Sequence, residues 1–331
     1  MDSAVRREAI AAPVGKFEHP DWTAAGEARA QVGLDRLDTL WLNTGTLCNI
    51  TCQNCYIESS PSNDRLAYLS RAEAAAFLDE IRSDGLGTRE IGFTGGEPFL
   101  NPDLPAMLDD ALAAGFEVLV LTNAMQPMQR PRVKAAVRAL AERHGRRLTL
   151  RVSLDHFTRD LHEAERGPKT WTKTLAGLDW LAVNGVRIAI AGRTCWNETE
   201  AEARTGYAAL IAERGWPIDP RRPAELVLLP EMDARLDVPE ITTRCWSILG
   251  KRPGDIMCAT SRMVVKRRGA SGPVVVPCTL LPYDERFDMG GTLAQAAARD
   301  GGMFDAGAVK LNHPHCSKFC VLGGGSCSVK A

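Results

Sequence analysis

The chain has 331 residues, 45% of them hydrophobic and 24% charged, with a formal net charge of −1. This is an ordinary globular composition, and the length predicts about two domains. A near-neutral chain has no strong field to attract nucleic acid or an anionic membrane, so we expect neither partner. The N-terminal residues lack the apolar run of a signal peptide, and no segment approaches the roughly 20 apolar residues of a membrane span.

Cysteine is the informative residue type, with ten copies in the chain. The cysteines are clustered and no export signal precedes them. Metal-bound thiolates in a reducing compartment therefore fit better than a disulfide framework. We expect a cytoplasmic protein that uses most of its cysteines as metal ligands.

In chain order, a polar lead-in segment over 1–35 is followed by alternating strands and helices. Apolar runs predict strands over 40–44, 90–93, 117–121, 148–154, 186–191 and 225–229. Helix signals predict helices over 70–83 with Ser70 and Glu73 as a capping box, from Asn101 as N-cap, and over 131–144, 171–183 and 199–214. Strands joined by helical crossovers predict a parallel α/β sheet over 36–235. Beyond it, Gly, Pro and Cys increase, and a smaller α+β domain is expected over 236–331.

The first cysteine cluster follows the first predicted strand. Cys48, Cys52 and Cys55 form C-x3-C-x2-C. Three thiolates suit an iron–sulfur site, whereas zinc or an ordinary ferredoxin-type cluster takes four ligands. Three ligands leave one iron open to an exogenous molecule. The alternative is a structural zinc site or buried free thiols.

Polar and glycine residues end the later strands at the edge where α/β folds bind ligands. Gly95, Gly96, Glu97 and Pro98 follow the second strand, and their glycines allow close backbone approach. At the ends of the next strands stand Thr122 and Asn123, Ser153 and Asp155, Arg193, and Leu228 and Leu229.

The cysteine spacing, together with Gly95-Gly96-Glu97-Pro98 one βα unit later, resembles the radical S-adenosylmethionine (SAM) superfamily. The resemblance implies a partial (β/α)6 TIM-like barrel with a [4Fe–4S] cluster on Cys48, Cys52 and Cys55. The open iron of such a cluster chelates SAM. An electron from a flavodoxin- or ferredoxin-type reductant then cleaves SAM to methionine and a 5′-deoxyadenosyl radical.

The resemblance also implies roles for the strand-end residues. Glu97 would accept from the methionine ammonium, Ser153 and Asp155 would lie near the ribose, and Arg193 would pair with the SAM carboxylate. Leu228 and Leu229 would flank adenine. The family usually has an aromatic residue before the third cysteine. This chain has Asn54, so we expect altered adenine packing.

The C-terminal cysteines resemble the SPASM/twitch extensions of the same superfamily. The shorter twitch form implies one auxiliary [4Fe–4S] cluster, held by Cys258, Cys278, Cys316 and Cys320 with Cys327 in reserve. Val274–Val276 fits the hairpin strand of that extension. Cys316 and Cys320 depart from the commoner C-x2-C spacing. A zinc site of these thiolates, with His313 or His315, is the alternative.

The function hypothesis is a radical SAM enzyme that abstracts hydrogen from a small molecule, or a peptide, with net oxidation through the auxiliary cluster. Cys245, Glu231 and Asp233 are candidate active-site residues. The alternatives are a ribosomal-peptide maturase working with a separate recognition protein, a non-catalytic Fe–S carrier and a zinc-stabilised binding module.

Overall fold

A computed structural model describes residues 15–230 and 237–326. Its strands are β1 (Gln31–Val32), β2 (Thr39–Asn43), β3 (Glu90–Thr94), β4 (Glu117–Thr122), β5 (Leu148–Ser153), β6 (Arg187–Arg193), β7 (Leu226–Leu229), β8 (Ser261–Val265), β9 (Val274–Val276), β10 (Phe304–Asp305) and β11 (Ala308–Lys310). Its α-helices are α1 (Arg71–Ser83), α2 (Leu104–Ala113), α3 (Gln126–Gln129), α4 (Pro131–His144), α5 (Arg159–Arg166), α6 (Thr170–Val183), α7 (Glu200–Arg214), α8 (Cys245–Leu249) and α9 (Leu293–Ala297). A π-helix covers Cys316–Leu322.

The main sheet is parallel from β2 to β7, and its six strands lie side by side in chain order. Helices connect these strands, which confirms the expected partial (β/α)6 barrel. The strands carry continuous apolar runs because both faces of a parallel sheet are covered. In β4, for example, Val118, Leu119 and Val120 are all buried.

The C-terminal hairpin of β8 and β9 extends this sheet beyond β2. β8 pairs in parallel with β2, and β9 pairs antiparallel with β8. The hairpin strand expected at Val274–Val276 is thus confirmed. The hairpin belongs to the predicted second domain, yet it shares a sheet with the barrel. A small second sheet, in the order β1-β11-β10, joins the start of the described chain to its end.

The structure confirms the predicted start of α1 but places the start of α2 later than the sequence predicted. Ser70 caps α1, and Glu73 completes the capping box. α2 begins at Leu104 with Asp103 as its N-cap residue, two residues later than expected. The Asn101 side chain still accepts from the Asp103 N–H at 2.9 Å, as a capping Asn does. Its amide also donates to the carbonyls of Thr44 (3.2 Å) and Leu69 (2.9 Å), and so ties three loops together.

The sequence analysis also missed α5.

Among the described residues no helix is long and apolar enough to cross a membrane.

Candidate active site

One cavity opens at the carboxyl ends of the barrel strands, with about 1070 Å³ of empty space including its mouth. Its walls bring together residues from the loop after β2 and from the ends of β3 to β7. Most of the predicted site residues line it: Cys48, Cys52, Cys55, Gly95, Gly96, Thr122, Asn123, Ser153, Asp155, Arg193 and Leu229. Ser326, close to the end of the described chain, lines the same cavity.

The three cysteines lie on one loop facing this cavity. Burial raises the pKa of Cys48 to about 12 and that of Cys52 to about 11. The thiols of Cys48 and Cys52 are therefore neutral at pH 7 without metal, and iron would take the place of their protons. Asn123 Nδ2 lies 3.9 Å from Cys48 Sγ, and the Ser59 N–H donates to Cys55 Sγ at 3.4 Å. Three thiols beside a cavity with further room fit a three-ligand cluster that binds a second molecule.

Gly95 and Gly96 are required by the segment that leads into Cys48. A Cβ on Gly96 would lie 2.2 Å from the Leu47 carbonyl oxygen, and one on Gly95 would lie 2.5 Å from the Gly45 carbonyl oxygen. The Gly96 N–H donates to Gly45 O at 2.8 Å. The close backbone approach expected of these glycines is thus made to the cysteine loop itself.

Glu97 lies beneath the cavity and is only 2% exposed. Its carboxylate accepts from Thr122 Oγ1 and from the Asn123 N–H, each at 2.8 Å. Burial raises its pKa, opposed by these hydrogen bonds. Glu97 thus holds Asn123, whose amide reaches Cys48. Its contact with the SAM ammonium stays a prediction. Pro98 is also buried and begins the short helical turn Pro98–Leu100.

The sequence analysis missed the two charged residues that end α5, Glu165 and Arg166, which both line the cavity. Arg166 pairs with Asp155, whose two carboxylate oxygens both accept from it. Glu165 pairs with Arg193 at 2.7 Å. An adjacent Glu and Arg in a polar stretch are more typical of a solvated helix face, so the sequence held little signal for either.

These pairs change the electrostatics expected of the site. Arg193 lines the cavity, but Glu165 already engages one of its terminal nitrogens, and its contact with the SAM carboxylate stays a prediction. Arg166 is the cation whose charge acts on both Cys52 and Cys48. Although burial opposes it, Asp155 and the cysteines hold the pKa of Arg166 above its usual value. A fixed positive charge beside the thiols favours their anionic form.

A second, smaller cavity of about 280 Å³ of empty space lies among C-terminal residues. Cys258, Cys278, Cys316 and Cys320 all line it. Cys316 and Cys320 lie one helical turn apart in the π-helix, so the C-x3-C spacing places both on one face. In the part of the chain that the structure describes, no three His, Cys, Asp or Glu side chains group as closely as a single metal ion requires.

The remaining predicted residues lie elsewhere. Leu228 does not line the first cavity, because strand alternation points Val227 and Leu229 into it. Cys245, at the start of α8, accepts from the Thr242 N–H at 3.4 Å and lines neither cavity. His313 and His315 lie with their rings tilted against each other and the centroids 4.8 Å apart, outside the four-cysteine cavity. Glu231, Asp233 and Cys327 lie outside the described residues.

Comparison with known proteins agrees with this geometry. The family model of the Radical SAM superfamily matches residues 42–203, about half of the chain. The bacteriocin subtilosin biosynthesis protein AlbA of Bacillus subtilis is 29% identical over 145 residues, covering 44% of this chain and 30% of AlbA. A GTP 3′,8-cyclase of Microcystis aeruginosa is 27% identical over 197 residues, 56% of each chain. The matches thus span between about a third and about half of these relatives.

Among solved structures, Streptococcus suis SuiB bound to S-adenosylmethionine superposes with a TM-score of 0.59 at 12% identity. The match covers 81% of this chain and 67% of SuiB, and it supports the fold assignment alone. The family match over residues 42–203 contains the three-cysteine loop, the glycine turn and most of the cavity wall. The chain belongs to the radical SAM superfamily.

Proposed function

We propose that this protein is an enzyme that cleaves SAM reductively and abstracts a hydrogen atom from a small molecule or a peptide. The observation that carries the proposal is the convergence of Cys48, Cys52 and Cys55 on one cavity with the strand ends of a parallel barrel. Cys48, Cys52 and Cys55 would hold a [4Fe–4S] cluster, which when reduced would supply the electron for reductive cleavage of bound SAM. The electron comes from a flavodoxin- or ferredoxin-type protein.

The chain's own residues would bind the cluster, orient SAM and keep water away from the site. The three cysteines hold the cluster, and Arg166 offsets the negative charge of the thiolates. Ser153 and Leu229 line the wall where ribose and adenine are expected. The cavity is bounded by buried β-strand residues, which limits the water that reaches a reactive intermediate.

The first experiment is anaerobic reconstitution with iron and sulfide, then dithionite and SAM, with 5′-deoxyadenosine measured. We expect product from the parent and none from Cys48→Ala, Cys52→Ala or Cys55→Ala, because each removes one of three iron ligands. Cys195→Ala is the matched control, since Cys195 is half-buried and outside the cavity wall. Cleavage retained in any of the first three variants would disprove the site assignment.

We further propose an auxiliary [4Fe–4S] cluster in the four-cysteine cavity, which would accept an electron from a substrate radical and make the net reaction an oxidation. Arg262 supports this proposal. Its buried guanidinium donates to the carbonyls of Cys258 and Ser261 at 2.6 and 2.8 Å, and its charge acts on Cys258 and Cys278. A buried cation suits an anionic cluster.

The auxiliary cluster is tested by iron content. Cys258→Ala should lose about four irons per chain while still forming 5′-deoxyadenosine, because the first cluster keeps its own ligands. An unchanged iron content would contradict the auxiliary cluster. Zinc in place of iron after anaerobic purification would instead favour the zinc alternative.

The relatives' names cover a bacteriocin pathway and a nucleotide cyclisation, so the proposal includes both peptide and small-molecule substrates.

The nine cysteines of the described residues are unbridged thiols, which supports the expected reducing, cytoplasmic setting.

A further inference from the structure

Glu165 contacts both residues that lie between Cys52 and Cys55. Its carbonyl oxygen accepts from the Gln53 N–H at 2.8 Å. Its carboxylate accepts from the backbone N–H of Asn54 at 3.0 Å and from the Asn54 side-chain amide at 2.8 Å. A residue more than a hundred positions away in the sequence therefore fixes the whole interval between two cluster ligands.

Arg193, the last residue of β6, completes the network. Its guanidinium donates to Glu165 Oε1 at 2.7 Å and to the Asn54 carbonyl at 3.4 Å. The side chains of Arg193 and Glu165 are only 4% and 3% exposed. Two buried opposite charges in contact avoid the large penalty of a single unpaired one. Each oxygen of the Glu165 carboxylate has a donor.

The pairing depends on the residue types. Asn54 donates to Glu165 twice, once from its backbone N–H and once from its side-chain amide. A side chain without an N–H at position 54 would leave Glu165 Oε2 without this donor. Hydrogen bonds to a buried carboxylate are stronger than neutral ones. The contacts are all made within the protein, so they do not require a bound cluster.

We propose that Glu165 is a positioning residue for the three-cysteine loop. Through Asn54 and Gln53 it holds Cys52 and Cys55 in their ligating arrangement before the cluster binds, and Arg193 holds its carboxylate in an ion pair. The inference rests on the proposed function in that the loop is taken to hold the SAM-binding cluster.

The test exchanges the two partners. Asn54→Asp places two carboxylates against each other, and Glu165→Gln turns an amide N–H₂ toward donors. The double variant Asn54→Asp/Glu165→Gln restores the hydrogen bond between the two side chains, because the new Gln amide donates to the new Asp carboxylate. It also keeps one carboxylate in the network with Arg193, so the net charge is unchanged. Asp160→Asn is the control, since it removes an exposed carboxylate from the same helix.

The first readout is hydrogen exchange of residues 52–56 in the metal-free full chain. Each single variant should exchange about tenfold faster or more than Asp160→Asn, and the double variant should return to within about threefold of the control. The second readout is the electron paramagnetic resonance spectrum of the reduced, reconstituted protein. The SAM concentration that half-converts the spectrum should rise about tenfold or more in the single variants, and should recover in the double variant.

Exchange in both single variants within twofold of the control would overturn the proposal, as would a double variant no better than either single one. A single variant that fails to fold leaves the comparison of the other with the double variant. The exchange measurement needs neither cluster nor SAM. Failure of SAM cleavage in the parent would therefore refute the proposed function while leaving the positioning result to stand or fall separately.

Discussion

At the scale of single residues, Gly96 couples the glycine turn to the cysteine loop by having no side chain. The Leu47 carbonyl occupies the space where a Cβ would stand. The obstacle is backbone, so it cannot rotate away as a flexible side chain would. The sequence motif predicted glycines that let the backbone approach a ligand, whereas the contact in the structure is with the protein's own backbone. The approach to a ligand stays a prediction.

We expect Gly96→Ala to destabilise the metal-free protein by about 2 kcal/mol or more, because the loop before Cys48 must shift. Gly33→Ala is the control, because its Cβ would meet nothing within 4 Å. Urea unfolding followed by circular dichroism measures both. Equal unfolding midpoints for the two variants would mean that the glycine turn accommodates a Cβ without loss of stability.

At the scale of elements, the strands and long helices were predictable and the strand-end contacts were not. Apolar runs and capping residues are local signals, and α4 begins and ends at the predicted residues. The bridging role of Asn101 was not predicted, because an Asn before Pro has the same local signature whether or not its amide also bridges loops. α5 was missed because it is short and mostly polar, and the partners of its Glu165, Asn54 and Arg193, are distant in sequence.

The two roles of Asn101 make opposite predictions for Asn101→Asp. A helix cap would tolerate the change, because Asp and Asn cap equally well. In this structure the lost amide leaves the buried carbonyls of Thr44 and Leu69 without a donor, and we expect a loss of about 2–3 kcal/mol. Thr292→Asp is the control, because Thr292 does cap α9 through the Gln295 N–H. Unfolding free energies that are alike for both variants would mean that the amide contacts to Thr44 and Leu69 contribute nothing to stability.

At the scale of the whole molecule, contacts distant in sequence join the two ends of the described chain. Glu240 accepts from the N–H groups of Phe17 (2.8 Å) and Ala24 (2.7 Å) and from Arg29 (2.6 Å). Arg29 also donates to the Leu311 carbonyl. The length predicted about two domains, yet no local pattern indicates that the Glu240 carboxylate binds a segment more than two hundred residues away.

Glu240→Ala should cost about 3–5 kcal/mol, because it leaves the buried Arg29 without its anionic partner. Hydrogen exchange over residues 17–32 should increase in the same variant. Asp237→Asn is the control: its pair with Lys16 is exposed, and such pairs contribute about 0–1 kcal/mol. A Glu240→Ala protein as stable as the control would show that this segment docks by other contacts.

The sheet that the barrel shares with the C-terminal hairpin also separates the two cysteine sites. The Cys48 loop leaves β2 where that strand ends, whereas Cys258 precedes β8 and Cys278 follows β9, at the edge where β2 begins. Five residues of strand span about 17 Å at roughly 3.3 Å each. Redox groups bound at the two cysteine sites would therefore be insulated from each other by a rigid strand of nearly constant length. Any electron passed between them would have to cross the buried residues of β2, whose length sets a lower limit on the distance.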